Sequence, residues 1–84
     1  MEETKQTLKE FILKEYLPGE NPAKLTETTP LISGGIIDSF GTLKLVLFLE
    51  EKYGIQIEAH KATKEHLDTI LSIAELVHSK LEST

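Results

Sequence analysis

Cysteine and arginine are both absent from this sequence. Without cysteine the chain has no disulfide framework, no thiolate metal site and no cysteine nucleophile, so any thiol chemistry must come from a cofactor. With no arginine and a formal net charge of −5, the chain is poorly suited to bind the phosphate backbone of nucleic acid. Partners that carry basic patches are favoured instead.

Long apolar runs are missing as well. No stretch approaches the ~18–20 apolar residues of a membrane span, and the amino terminus, MEETKQTLKE, is polar and acidic without an apolar signal core. We therefore expect no membrane insertion, a cytoplasmic location and a monomer. A length of 84 residues allows one domain, residues 1–84, with one small core.

The most informative stretch is GGIIDSFGTLKLVLFLEEKYG, residues 34–54. A flexible Gly-Gly approach precedes Asp38 and Ser39, whose residue types are favoured at helix N-caps because their oxygens accept orphan backbone N–H groups. Apolar periodicity then predicts a helix from Phe40 to about Tyr53. Gly54 is the expected left-handed residue that ends it.

This central helix has two apolar stripes, although a helix that buries one face needs only one stripe. At 100° per residue, the stripe predicted to be core consists of Thr42, Leu45, Val46, Leu49 and Tyr53. The second stripe consists of Phe40, Leu43 and Leu47, interleaved with Lys44, Glu50 and Glu51. We interpret it as a docking surface with a charged rim. A helix buried nearly all round is the alternative, and periodicity does not choose between the two.

The segments before the central helix are a helix and a loop. Residues 4–17 predict an amphipathic helix capped by Thr4, with Leu8, Phe11, Ile12 and Tyr16 on one side. Residues 18–38 hold three prolines and three glycines, which predicts a long loop. Apolar residues should pin this loop across the bundle: Leu25, Leu31, Ile32, Ile36 and Ile37. Gly34 and Gly35 allow positive φ before the serine.

After Gly54 the pattern predicts an extended linker containing Ile55 and Ile57, then one short helix within residues 59–67 with Ala62 and Leu67 inward. Asp68 or Thr69 is the expected cap of the last helix, whose core stripe is Ile70, Ile73, Ala74, Val77 and Leu81. The chain is therefore predicted to be all-α, a four-helix bundle of three longer helices and one short helix, with a long loop between the first two.

Catalysis by Ser39 itself is disfavoured. A nucleophile elbow needs G-x-S-x-G after a strand, whereas Ile37 occupies the first glycine position and no strand is predicted there. The histidines, His60, His66 and His78, all lie in the last third of the chain and show no metal-ligand spacing, so we interpret them as surface residues. The adjacent carboxylates Glu50 and Glu51 diverge on a helix and cannot readily share a proton. We predict neither a catalytic residue nor a metal site.

The Asp38-Ser39 pair, preceded by Gly-Gly-Ile-Ile and followed by an apolar helix ending in Glu-Glu-Lys-Tyr-Gly-Ile, resembles the acyl and peptidyl carrier protein family over nearly the whole chain. The DSFGT stretch, residues 38–42, is especially similar to discrete D-alanyl carriers. HLDTILSIAELV, residues 66–77, is more similar to the last helix of stand-alone or peptide-synthetase-type carriers.

This resemblance implies an acyl-carrier-protein-like bundle that performs no catalysis. It implies a 4′-phosphopantetheine arm, taken from coenzyme A and attached to Ser39, with Asp38 helping the transferase place its metal and substrate. The arm would hold an acyl or aminoacyl thioester. The implied partners are a phosphopantetheinyl transferase, an acyl- or aminoacyl-activating enzyme, and downstream acyl-transfer or synthase enzymes.

Three positions distinguish this chain from the carriers of bulk fatty acid synthesis, which it also resembles, and favour a specialised pathway. Those carriers usually have a leucine and then an acidic residue directly after the serine. Here Phe40 and Gly41 occupy those positions, and Lys44 lies on the predicted docking stripe. Gly41 weakens the first turn by roughly 0.5–1 kcal/mol relative to Ala, so we expect it to let a partner approach the backbone closely. A fatty acid carrier, and an interaction domain without any prosthetic group, remain the alternatives.

Overall fold

The first helix, α1, spans Glu2–Tyr16 in the computed structural model, which describes residues 2–82. It begins before the predicted cap, because Glu2 and Glu3 place negative charge in the first turn, where the helix dipole favours it. Thr4 is therefore inside the helix and buried, and the prediction that it caps α1 is wrong. Its Oγ1 lies 2.9 Å from Nε2 of His78, so this half-buried histidine joins the two ends of the chain.

The segment after α1 is the long loop that the sequence predicts. One turn of 3-10 helix, Pro22–Lys24, interrupts it, and the side chain of Asn21 caps this turn by accepting the N–H of Ala23. The predicted anchors lie inward, with Leu25, Leu31 and Ile37 fully buried and Ile32 and Ile36 partly buried against the core. Burial of these aliphatic side chains compensates for the loop's lack of regular structure.

Asp68 fixes the second half of this loop. Its backbone carbonyl accepts the N–H of Leu31 at 2.6 Å, and its Oδ1 accepts the N–H groups of Ile32 and Ser33, each at 2.8 Å. The Ser33 hydroxyl donates to Oδ2 at 2.7 Å. These bonds satisfy backbone groups that a loop over a bundle would otherwise leave unpaired.

The central helix, α2, spans Ser39–Tyr53, so it begins one residue before the predicted start at Phe40 and ends where predicted. Asp38 is its N-cap, and Gly54 adopts the left-handed conformation at its C-terminus with φ 64°. Of the predicted core stripe, Leu45, Val46 and Leu49 are buried, whereas Thr42 and Tyr53 are half-buried. The prediction that this stripe belongs to the core is therefore confirmed for its three middle residues.

Two short pieces replace the single helix predicted within residues 59–67. Ile55 and Ile57 are buried in the extended linker as predicted. A 3-10 turn, Ala59–Lys61, follows, and a separate four-residue helix, α3, spans Lys64–Leu67. They are separated because Ala62 and the extended Thr63 leave the helical region of φ and ψ.

The last helix, α4, spans Ile70–Glu82. Thr69, not Asp68, caps it, because Thr69 Oγ1 accepts the N–H of Ser72 at 3.0 Å. Burial along α4 ends at Val77, so the prediction that Leu81 belongs to the core is wrong: its side chain is exposed. Leu76, which the predicted stripe omits, is buried instead.

Helix α4 contacts all three other helices, and the four together enclose one core. The core residues are Leu8, Ile12, Leu25, Leu31, Ile37, Leu45, Val46, Leu49, Ile55, Ile57, Leu67, Ile70, Ile73, Ala74, Leu76 and Val77. The predicted all-α bundle of three longer helices and one short helix is confirmed. Over residues 2–82, none of the helices combines the length and apolar character needed to cross a membrane.

Candidate functional site

Ser39 is the first residue of α2 and is exposed. The capping contact is made by its neighbour, since Asp38 Oδ1 accepts the N–H of Gly41 at 2.7 Å and the Asp38 carbonyl accepts the N–H of Thr42 at 2.8 Å. Asp38 thus satisfies the helix end that a serine often caps. The Ser39 hydroxyl is left at the surface, at the positive end of the helix dipole, where a phosphate would be favoured.

A tight turn delivers Asp38 and Ser39 to this position. The carbonyl of Leu31 accepts the N–H groups of Ile36 and Ile37, at 2.9 and 3.0 Å. Gly35 has φ 81°, as the sequence allows. Gly34 is needed for another reason, because a Cβ there would lie 2.3 Å from the carbonyl oxygen of Pro30. Buried Ile37 then anchors the chain just before the cap.

The first turn of α2 is also held against α1. The Tyr16 hydroxyl donates to the Gly41 carbonyl at 2.6 Å, and a Cβ on Gly41 would lie 2.9 Å from Tyr16 Cε1 and 3.0 Å from Ile37 Cγ2. Gly41 thus permits a close contact within the chain, which is a physical reason for glycine that needs no partner. Burial, followed by the negative charges of Glu15 and Asp38, raises the pKa of Tyr16 to about 12, so its hydroxyl remains a donor at neutral pH.

Stacked rings continue this contact between α1 and α2. The rings of Phe11 and Phe48 are 3.8 Å apart between centroids and nearly parallel, and Tyr16 meets the edge of Phe11 at 5.9 Å. Aromatic pairs of this kind contribute about 0.5–1.5 kcal/mol beyond the area they bury. The helix start that carries Ser39 is therefore attached to a rigid support.

The second apolar stripe of α2 faces outward. Phe40 is 84% exposed, Leu43 58% and Leu47 55%, so the alternative of a helix buried all round is wrong. These are three of the four large exposed apolar side chains among residues 2–82, and the stripe begins at the residue after Ser39. Three neighbouring apolar side chains on one helix face are the pattern of a partner-binding surface.

The charged residues predicted for the rim of this stripe have different surroundings. Lys44 Nζ donates to Glu15 Oε2 on α1 at 2.6 Å, and this hydrogen bond holds the pKa of Glu15 below its ordinary value. Glu50 is half-buried and its Oε2 accepts the N–H of Ile57 at 2.9 Å, so it supports the linker. Glu51, the third predicted rim residue, is exposed.

A shallow apolar groove of about 460 Å³ runs beside Ser39 along α2. One wall consists of α2 residues that include Leu43, Val46 and Leu47; the other is formed by Ile57, Ala59 and Ala62. Sequence reasoning missed the second wall. The alternation of Ile55 and Ile57 signals only an extended segment and does not indicate which helix that segment lies against.

The three histidines were predicted to be surface residues. His60 is exposed, whereas His66 and His78 are half-buried. Within residues 2–82, no cluster of three His, Asp or Glu side chains is arranged to hold a metal ion. The arrangement around Ser39 thus offers an unused hydroxyl, a fixed helix start and an adjacent apolar face.

These features define a small helical domain that presents a serine beside an exposed apolar stripe. Comparison with solved structures finds a chain of similar fold in a structure described as a FAD-dependent dehydrogenase, with a TM-score of 0.74 and 30% sequence identity. The similarity covers 83% of this chain and 97% of that chain, so the matched chain is somewhat shorter than this one. No protein-family model and no curated protein matches the sequence.

Proposed function

We propose that this protein is a non-catalytic acyl carrier that holds an acyl or aminoacyl group as a thioester on a 4′-phosphopantetheine arm attached to Ser39. The observation that carries the proposal is the exposed Ser39 hydroxyl at the start of α2, left unused because Asp38 caps the helix. The exposed stripe beginning at Phe40 supplies a surface on which enzymes can dock next to the arm. The sequence resemblance to carrier proteins supports the same proposal.

The residues around Ser39 fit such an arm. A phosphodiester on Ser39 Oγ would lie at the N-terminus of α2, where helix dipole and backbone N–H groups favour negative charge. The groove beside Ser39 offers apolar side chains along which the arm can rest. When bound, the arm supplies the thiol that this cysteine-free chain lacks.

The contribution of the chain is to position the group. Asp38, the Leu31–Ile37 turn and the Tyr16–Gly41 contact fix the helix start, so an arm anchored there reaches a docked enzyme from a defined point. Linking the thioester to a docked protein makes the next reaction effectively intramolecular, with effective concentrations that reach the millimolar range for short flexible links. The docked enzyme would supply the catalytic groups, so the chain itself needs no general base near Ser39.

The described similarity to a FAD-dependent dehydrogenase structure does not favour catalysis by this chain. Sites that hold a dinucleotide and a substrate lie in crevices of large sheets or between domains. This chain has a single small core and no strand among residues 2–82. We infer that a FAD-dependent dehydrogenase represents the class of enzyme that acts as a partner of this carrier. Such a partner agrees with a specialised pathway better than with bulk fatty acid synthesis.

The test is modification by a broad-specificity phosphopantetheinyl transferase with coenzyme A and Mg²⁺, followed by intact mass. Wild type should gain the phosphopantetheine increment and Ser39→Ala should gain nothing. Ser79→Ala, which removes an exposed serine from α4, is the matched control and should be modified like wild type. If wild type gains no mass with any such transferase, the exposed stripe belongs to an interaction domain without a prosthetic group.

A further inference from the structure

The carrier proposal leaves open which kind of enzyme covers the exposed stripe of α2. The stripe starts beside Ser39 and, at 1.5 Å per residue, extends about 10 Å from Phe40 to Leu47. Whatever protein covers it has its own surface next to the attachment point. An enzyme that docks on the stripe therefore lies next to the carried group.

The charges around the stripe indicate what that enzyme's surface carries. Lys44 is paired with Glu15, and Glu50 is turned to the backbone of Ile57. Two exposed carboxylates remain near the stripe: that of Glu51, and that of Asp38, whose Oδ1 also accepts the N–H of Gly41. An apolar patch with basic residues at its edge is the complementary surface.

We propose that this occupant is a FAD-dependent dehydrogenase, and that it desaturates the thioester carried on Ser39; the proposal rests on the carrier function. The supporting observation is that a chain of similar fold, 30% identical and covered over 97% of its length, occurs in a structure described as such a dehydrogenase. A chain of that size cannot itself enclose FAD and a substrate. A separate flavin enzyme would then be the partner of the small chain in that structure, and the proposal extends this partnership to the present chain.

The chemistry of a thioester suits this partner. The thioester carbonyl acidifies the Cα–H bond, so a base on the dehydrogenase can take that proton. The electron pair of the broken Cα–H bond forms a Cα=Cβ double bond as a hydride leaves Cβ for the oxidised flavin. The products are an α,β-unsaturated thioester on the carrier and reduced FAD, and the oxidant is the FAD itself. The carried group must therefore have hydrogen on both Cα and Cβ.

The experiment uses the full chain loaded through its arm with a butyryl or a 2-aminobutyryl group, each of which has hydrogen on both carbons. The loaded carrier is mixed without oxygen with the dehydrogenase of the matched structure, and separately with each FAD-dependent dehydrogenase encoded in the same genome as this chain. We expect one of these enzymes to lose its oxidised-flavin absorbance. The carrier-bound group should lose the mass of two hydrogen atoms in step with it.

Two comparisons test the surface. Leu47→Ala should slow flavin reduction by about tenfold at limiting carrier, as expected for truncating an apolar interface anchor. Leu81→Ala, which truncates an exposed leucine on α4, should not slow it. Free butyryl-coenzyme A should reduce the flavin far more slowly than the loaded carrier, because it lacks the docking surface.

The outcomes separate the two proposals. A chain that never accepts the arm contradicts the carrier function itself. A fully loaded chain that reduces none of these enzymes overturns only the dehydrogenase partnership. Reduction by free butyryl-coenzyme A at the same rate as by the loaded carrier, or an unchanged rate for Leu47→Ala, also overturns the partnership, because docking on the stripe would then play no part.

Discussion

The hydroxyl of Tyr16 and the carbonyl of Gly41 are joined by a hydrogen bond of 2.6 Å. This bond links the end of α1 to the turn of α2 that begins with Ser39. Because a Cβ on Gly41 would lie 2.9 Å from the same tyrosine ring, the bond and the missing side chain belong to one close contact. The position of the candidate attachment site is therefore set partly by a residue that precedes it by 23 positions.

Removing the Tyr16 hydroxyl should weaken this attachment. Tyr16→Phe is expected to lower the free energy of unfolding by about 0.5–1.5 kcal/mol, the usual net contribution of a hydrogen bond. Urea denaturation followed by circular dichroism measures it. Tyr53→Phe, at the other end of α2, is the matched control and should cost less. Equal losses in the two variants would show that the Tyr16 bond makes no specific contribution.

Filling the space at Gly41 should destabilise the protein although Ala is the better helix former. Helix propensity alone predicts that Gly41→Ala gains about 1 kcal/mol, but the new Cβ would overlap Tyr16 Cε1 and Ile37 Cγ2. We expect a net loss of stability in urea. In the Tyr16→Ala background the same substitution should cost less, because one of the two clashing groups is gone. A stability gain from Gly41→Ala in the wild-type background would contradict the close contact.

The two stripes of α2 should separate by phenotype. Leu49 is fully buried and Leu47 is 55% exposed. Leu49→Ala should therefore cost about 2–5 kcal/mol of unfolding free energy, enough to threaten a domain of this size. Leu47→Ala should cost at most about 0.5 kcal/mol and impair partner reactions instead. Unfolding of the Leu47 variant as readily as the Leu49 variant would refute the assignment of the stripes.

Asp68 should make part of the protein's stability dependent on pH. Hydrogen bonds from the backbone and hydroxyl of Ser33 hold the pKa of Asp68 below its ordinary value of 3.8. Because the folded pKa is lower than the unfolded one, this contribution is present above pH 3.8 and is lost as the pH falls through the folded value.

The check is urea denaturation of wild type and Asp68→Asn across that acid range. The variant should be less stable at neutral pH and lose less stability on acidification. Glu15 and Glu58 also have lowered pKa values, through Lys44 and Lys80 respectively. The dependence of stability on acid pH should therefore be smaller in Asp68→Asn than in wild type, but still present. Parallel curves for the two proteins would exclude Asp68 as a source of the dependence.

A dedicated carrier should be a poor substrate for the malonyl transferase of fatty acid synthesis. The pantetheinylated protein should load malonate slowly beside a genuine fatty acid carrier. Gly41→Asp would disturb Tyr16. Lys44→Glu alone is therefore the variant that tests whether reversing a charge on the docking stripe improves malonyl loading. Loading of wild type as fast as the fatty acid carrier would favour the alternative pathway.

The features of the fold that were predicted correctly depend on residues close together in the sequence. Asp38 and Gly54 gave the ends of α2 correctly, because capping depends on a few adjacent residues. Helical spacing placed Phe40, Leu43 and Leu47 opposite the core stripe but did not decide whether they are exposed; the structure shows that they are. The docking role of that stripe stays a prediction.

Contacts between distant residues were beyond the reach of that reasoning. Asp68 was one of the two residues expected to cap α4, yet its carboxylate binds Ser33, which lies 35 positions earlier. Glu50 was assigned to the charged rim of the docking stripe because no sequence pattern reveals that its partner is the backbone N–H of Ile57 in the linker. Gly41 was interpreted as a partner contact because no sequence pattern places Tyr16 against it.

The central claim is that Ser39 alone carries the arm, and peptide mapping after modification tests it most directly. Cleavage after lysine releases residues 25–44, a peptide that contains both Ser33 and Ser39, so fragmentation of that peptide must localise the added group. We predict the phosphopantetheine on Ser39, with Ser33 unmodified because its hydroxyl is bound to Asp68. Localisation on Ser33, or on a serine of any other peptide, would contradict the account.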